Sequence, residues 1–74
     1  MKWISAIPTQ SIECIIITDQ YAHADGSNPT TVYRLFVYKN NVDIYDDLQF
    51  SLAFAQEAAL EKFGIPLSAW QQVE

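Results

Sequence analysis

Few side chains in this 74-residue chain are spaced for chemistry, and the first to weigh is His23-Ala24-Asp25 with Ser27 and Asn28. A histidine two residues from a carboxylate has the parts of a general base and its orienter, or of two metal ligands. A metal site needs three or four ligands, and no second cluster supplies the rest. The residues after Gly26 also lack the glutamate-ended spacing of a calcium loop. Ala24–Pro29 is dense in turn formers, so the expected role of Asp25-Gly26 is a solvated bend.

The other candidates are thinner. Cys14 lies in an isoleucine-rich run and is expected to be a small buried apolar group. Nine residues of extended chain, about 30 Å, separate it from His23, so the two cannot form a nucleophile and its base. Asp43, Asp46 and Asp47 gather where a helix is expected to begin, and carboxylates favour that end of the helix dipole. A divalent-cation site joining them to Glu13 or Asp19 is the alternative. Asp19 and Arg34 suit an exposed cross-strand ion pair, and with His23 they form the candidate rim of a ligand pocket between two subunits. Arg34, Phe36, Tyr38 and Tyr45 suggest a stacking platform for single-stranded nucleic acid. Such platforms lie in positive grooves, whereas nine acidic against four basic residues give this chain a net charge of −5. Nucleic acid and anionic membrane are therefore disfavoured as partners, and a basic protein is a better one. No catalytic, cofactor-binding or metal-ligating residue is assigned, no cofactor is expected, and a non-enzymatic role is preferred.

The elements that position these residues are easier to read. Ile12 to about Ala22 is rich in β-branched residues, and its central Ile15-Ile16-Ile17 does not alternate, so a strand buried on both faces is expected. Thr31–Lys39 is the second strand. Asn40-Asn41 suits a two-residue type I′ turn, with Val42–Tyr45 as the returning strand. Residues 1–11 form an edge strand or apolar arm broken at Pro8. A long helix is expected from Asp46 to Gly64, with Asp46 and Gln49 as a capping box, Tyr45 and Phe50 as a hydrophobic staple, and Gly64, Ile65 and Pro66 as its stop. In the tail, Leu67, Trp70 and Val73 are three apart and suit a helical turn that lays Trp70 on the body. The expected fold is α+β in a single domain: an antiparallel meander of three or four strands, one long C-terminal helix packed on one face, and a short tail.

Half the residues are hydrophobic, which indicates a folded chain. A single cysteine argues against an internal disulfide and for a reducing compartment. The opening residues are too short in apolar length for a secretory signal, and no stretch reaches the roughly 18 apolar residues of a membrane span, so the expected location is cytoplasmic.

Apolar side chains fall on too many faces. With the Asn40-Asn41 turn, Lys39 faces Val42, Tyr38 faces Asp43, Val37 faces Ile44 and Phe36 faces Tyr45. Tyr33, Leu35, Val37, Val42 and Ile44 then share one side with Cys14, Ile16 and Thr18. Val32, Arg34, Phe36, Tyr38, Asp43 and Tyr45 share the other with Ile15, Ile17, Asp19 and Tyr21. On the helix, Leu48, Leu52, Ala55, Ala59 and Phe63 form the core stripe, while Phe50 and Phe54 lie nearly opposite. One helix cannot cover both sides of such a sheet. Either the terminal segments with Trp3 and Trp70 wrap the second surface, or the protein self-associates, as a homodimer, through Phe36, Tyr38 and Tyr45 or through Phe50 and Phe54. The preferred expectation is such an interaction module. The alternatives are an acidic inhibitor or immunity-type protein that binds a basic enzyme, and a ligand-binding protein or enzyme with its site at a subunit interface.

Overall fold

The ten residues Ile12–Tyr21 form strand β2, and Thr30–Lys39 form β3. They pair antiparallel along their full length, from Ile12↔Lys39 to Tyr21↔Thr30. Around this ribbon the computed structural model, which describes all 74 residues, builds an antiparallel sheet from β1 (Lys2–Ile7), β4 (Val42–Gln49) and β5 (Gln71–Gln72). The strand order is β4-β3-β2-β1-β5, and one helix, α1 (Leu52–Phe63), crosses one face. This is the α+β architecture expected, with its C-terminal helix. The amino-terminal arm is a true strand held between β2 and the tail, because β5 pairs outside it at Trp3↔Gln72 and Ile4↔Gln71.

Asn40 and Asn41 have φ values of 53° and 63°, as a type I′ turn requires. Lys39↔Val42 and Tyr38↔Asp43 follow in the expected register. The next rung does not. A bulge skips Ile44, so Val37 pairs with Tyr45 and Phe36 with Asp46. Tyr45 is thereby turned to the helix side, where its ring meets Phe63 edge-on at 5.5 Å and Lys62 Nζ lies 5.5 Å from its centre. The expected pairs Val37–Ile44 and Phe36–Tyr45 are corrected accordingly.

The start of the helix is also corrected. β4 continues through Gln49, because β3 is long enough to offer Phe36, Leu35, Arg34 and Tyr33 as ladder partners to residues 46–49. Strand hydrogen bonds and side-chain packing there outweigh a local capping signal. Asp47 instead accepts hydrogen bonds from Leu48 N–H at 2.9 Å and Gln49 Nε2 at 2.7 Å. The cap is Ser51, whose Oγ accepts from Phe54 N–H at 3.1 Å. Phe50 is 64% exposed and staples nothing. The stop is as expected: Gly64 is left-handed, with φ 73°, and its N–H reaches the Ala59 and Leu60 carbonyls.

The core lies between the helix and one sheet face. Ala55 and Ala59 bring α1 down onto Cys14, Ile16, Leu35 and Val37, with Trp3, Ile12 and Ile65 completing the cluster. Leu52, Phe63 and Trp70 pack around it. Both terminal segments therefore add to the helix side, and the tail contributes a 3₁₀ turn at Leu67–Ala69 before β5. Leu48 is the exception in the expected stripe: it pairs with Arg34 on the opposite face.

Beyond Lys2↔Ile17 and Tyr33↔Gln49 the flanking strands end, so Asp19–Tyr21 and Thr30–Val32 continue as a two-stranded ribbon. The molecule measures 46 × 24 × 23 Å, and its radius of gyration of 13.1 Å exceeds the roughly 11 Å of a compact chain of this length.

Candidate interaction surface

Successive strand residues point to opposite sides, and partners on a rung point to the same side. The core residues identify the helix side, so the other side can be written rung by rung. Tyr38 stands level with Glu13, Ala6 and Asp43. Phe36 stands level with Ile15, Ile4 and Asp46. Arg34 stands level with Ile17, Lys2 and Leu48, and Val32 with Asp19. Ile4, Ile15, Ile17, Phe36, Tyr38 and Leu48 form one continuous apolar area. Each is half-buried, and Val32, beyond Arg34 on the same face, is fully buried, whereas α1, Trp3 and Trp70 all pack on the other side.

The charges on this open face are ordered. Glu13 and Asp43 lie at the Tyr38 end, with Asp46 beside Phe36, whereas Lys2 and Arg34 lie on the next rung inward. Arg34 Nε donates to Asp19 Oδ2 at 2.8 Å, diagonally across the ribbon. That hydrogen bond, reinforced by one from Gln20 N–H, holds the Asp19 carboxyl below its usual range. The expected ion pair is thus present, and Lys2 is the one cation of this face without a salt bridge.

Of the five aromatic residues proposed for contacts, the fold leaves only Phe36 and Tyr38 on the open face. Tyr45 is turned to the core side, where burial, followed by Asp47 and Asp46, raises its phenol pKa. Phe50 sits in the bend before α1 and Phe54 on the outer side of the helix, 64% and 57% exposed. Two contributors are not among the expected contact residues: Ile4, whose segment reads as an edge strand or an arm with no face assigned, and Leu48, which the helical spacing places in the core stripe. The alternation Trp3-Ile4-Ser5 was the available signal for the first.

His23 and Asp25 do not form a couple. His23 Nε2 lies 2.8 Å from Thr30 Oγ1, and its ring meets Tyr21 edge-on at 5.5 Å. Asp25 accepts from Ser27 N–H at 2.9 Å, which keeps its carboxyl below the ordinary range and closes the turn at Gly26, φ 79°. No three His, Cys, Asp or Glu side chains converge as a metal site needs. The larger concavity, about 410 Å³, runs along β1 and β2 beside the tail and includes Ile4, Ala6, Glu13, Ile15 and Gln71. It is bordered by none of Asp19, His23 or Arg34. Cys14 is fully buried, and burial pushes its thiol up to about 11. No helix is long and apolar enough to cross a membrane. No protein-family model matches the chain, and no curated protein or solved structure matches it either.

Proposed function

We propose that this protein is a non-enzymatic interaction module that pairs with a second copy of itself through the open face of its sheet. The carrying observation is the continuous area of Ile4, Ile15, Ile17, Phe36, Tyr38 and Leu48, all only partly buried and outside the cluster that α1 covers, with Val32 fully buried at its far end. Four strands about 4.8 Å apart and about seven residues at about 3.3 Å each span roughly 19 × 23 Å. Two such faces together enclose on the order of 900 Å² in projection, near the roughly 1,000 Å² that a specific interface requires. Sheets also stack face to face at about 10 Å, with their side chains interdigitating, so a second sheet is a natural cover.

Pairing through the edge of β4 is a poorer route. That edge carries the Ile44 bulge and the charges of Asp43, Asp46 and Asp47, devices that discourage strand addition. Phe50 and Phe54 offer only two exposed rings. A basic protein partner remains the second reading, favoured by the net charge of −5 and by Glu13, Asp43 and Asp46 on the open face.

Light scattering at micromolar concentration tests the proposal. The expected mass is twice 8.4 kDa, falling to the single-chain value in Phe36→Lys, with Phe54→Lys leaving the dimer intact. A wild-type monomer overturns it. Salt-reversible capture of a basic protein by that monomer would favour the second reading.

A further inference from the structure

The open face also carries a charge order that selects one way of stacking, and we propose that the two copies pack with their two-fold axis across the strands, so that Glu13 of each meets Lys2 of the other. This rests on the dimer proposed above and specifies its geometry. A face-to-face dimer has two simple choices for an axis lying between the sheets. With the axis along the strands, each rung lies over the same rung of the second copy. Glu13 and Asp43 then approach the same acidic end opposite, and Arg34 and Lys2 approach the same cationic rung. Like charges brought together at the rim of a partly dehydrated interface disfavour that choice.

With the axis across the strands at the Phe36 rung, the order reverses. Phe36, Ile15 and Ile4 each lie over themselves at the centre, and Asp46, exposed at the β4 end of that rung, also lies over itself, the one like-charge contact set against the paired attractions of the flanking rungs. The Tyr38 rung then lies over the Arg34 rung. Tyr38 receives the Arg34 guanidinium, which stays paired with Asp19 of its own chain, over a ring that attracts cations. Glu13 falls over Ile17 and between Lys2 and Arg34, while Asp43 falls over Leu48 beside Arg34. Lys2 thus gains the carboxylate that its own chain does not give it, and each contact occurs twice by symmetry. The apolar residues are indifferent to the choice of axis. The charges are not.

Charge exchange tests this on the full chain, with dimer dissociation read by analytical ultracentrifugation at low salt. Lys2→Glu and Glu13→Lys should each weaken the dimer at least about five-fold, since two symmetric attractions become repulsions. The double variant Lys2→Glu/Glu13→Lys should return to within about two-fold of wild type. Circular dichroism melts below the dissociation constant show whether the monomer fold is unchanged. A dimer that tightens in Glu13→Lys, or that the double variant fails to restore, overturns the crossed axis and leaves the dimer standing. A wild-type monomer removes both.

Discussion

Deleting Ile44 should leave the fold intact, although a one-residue deletion inside a strand ordinarily exchanges the two faces of everything beyond it. Ile44 is the residue that the bulge skips. Without it, the turn at Asn40-Asn41 still sets Lys39↔Val42 and Tyr38↔Asp43, and the next rung becomes Val37↔Tyr45 with no irregularity. Phe36↔Asp46, Leu35↔Asp47 and Arg34↔Leu48 follow unchanged from the present ladder. The loss is an isoleucine already 46% exposed, about half of a full aliphatic burial and so about 1 kcal/mol. Against it stands the relief of an interrupted ladder, worth a similar amount for one regained hydrogen bond. The net change should stay within about 1 kcal/mol, or within about 8 °C in melting temperature for a domain this small. Tyr45→Ala is the comparison. It removes a half-buried ring packed on Phe63 and should cost about 2 kcal/mol, half of a full aromatic truncation. Thermal melts by circular dichroism at one fixed protein concentration give both values. If the deletion destabilises as much as Tyr45→Ala, or unfolds the chain, the assignment of Ile44 as the inserted residue is wrong.

Ser51→Ala should lower stability by about 1 kcal/mol, because the hydroxyl that caps α1 is removed. Asp46→Asn should cost under about 0.5 kcal/mol, and the reverse order in urea titrations would restore Asp46 as the cap. Cys14 should resist iodoacetamide in the native state at pH 8. Its thiol is pushed up to about 11 from an ordinary value near 9.0, which alone removes about 100-fold of the thiolate; native labelling at the unfolded rate would refute its burial. The Asp19 carboxyl is held below its usual range by Arg34. Its contribution to stability is therefore complete above the unfolded pKa near about 4 and is lost as pH falls through the lower folded value. Asp19→Asn should accordingly melt with less acid dependence than wild type below about pH 4, and identical acid limbs would show that the ion pair is not maintained in solution.

The residues that announce themselves locally were legible in order along the chain. Asn40-Asn41 fixes a turn because both residues tolerate positive φ, and Gly64 ends a helix for the same reason. The run Ile12–Tyr21 is a strand on composition alone, but the burial on both faces expected from its lack of alternation is met only on the side of Ile12, Cys14 and Ile16, while Ile15 and Ile17 stay partly exposed. The absence of an assembled couple at His23-Asp25 follows from turn chemistry that is equally local. What no local reading could supply was the competition between distant segments. Asp46 and Gln49 form a sound capping box until β3 offers them a ladder, and then Ser51 takes the cap. A bulge of one residue cannot be seen in a pattern of alternation, since either side of it reads correctly. It nevertheless decides that Tyr45 belongs to the core and Leu48 to the open face. The two tryptophans likewise look free to cover either side, and only packing shows that both joined the helix. Composition and strand periodicity alone determined that this chain carries more apolar surface than one helix covers. Long-range strand pairing, whose register depends on partners far away in sequence, decided which surface that is.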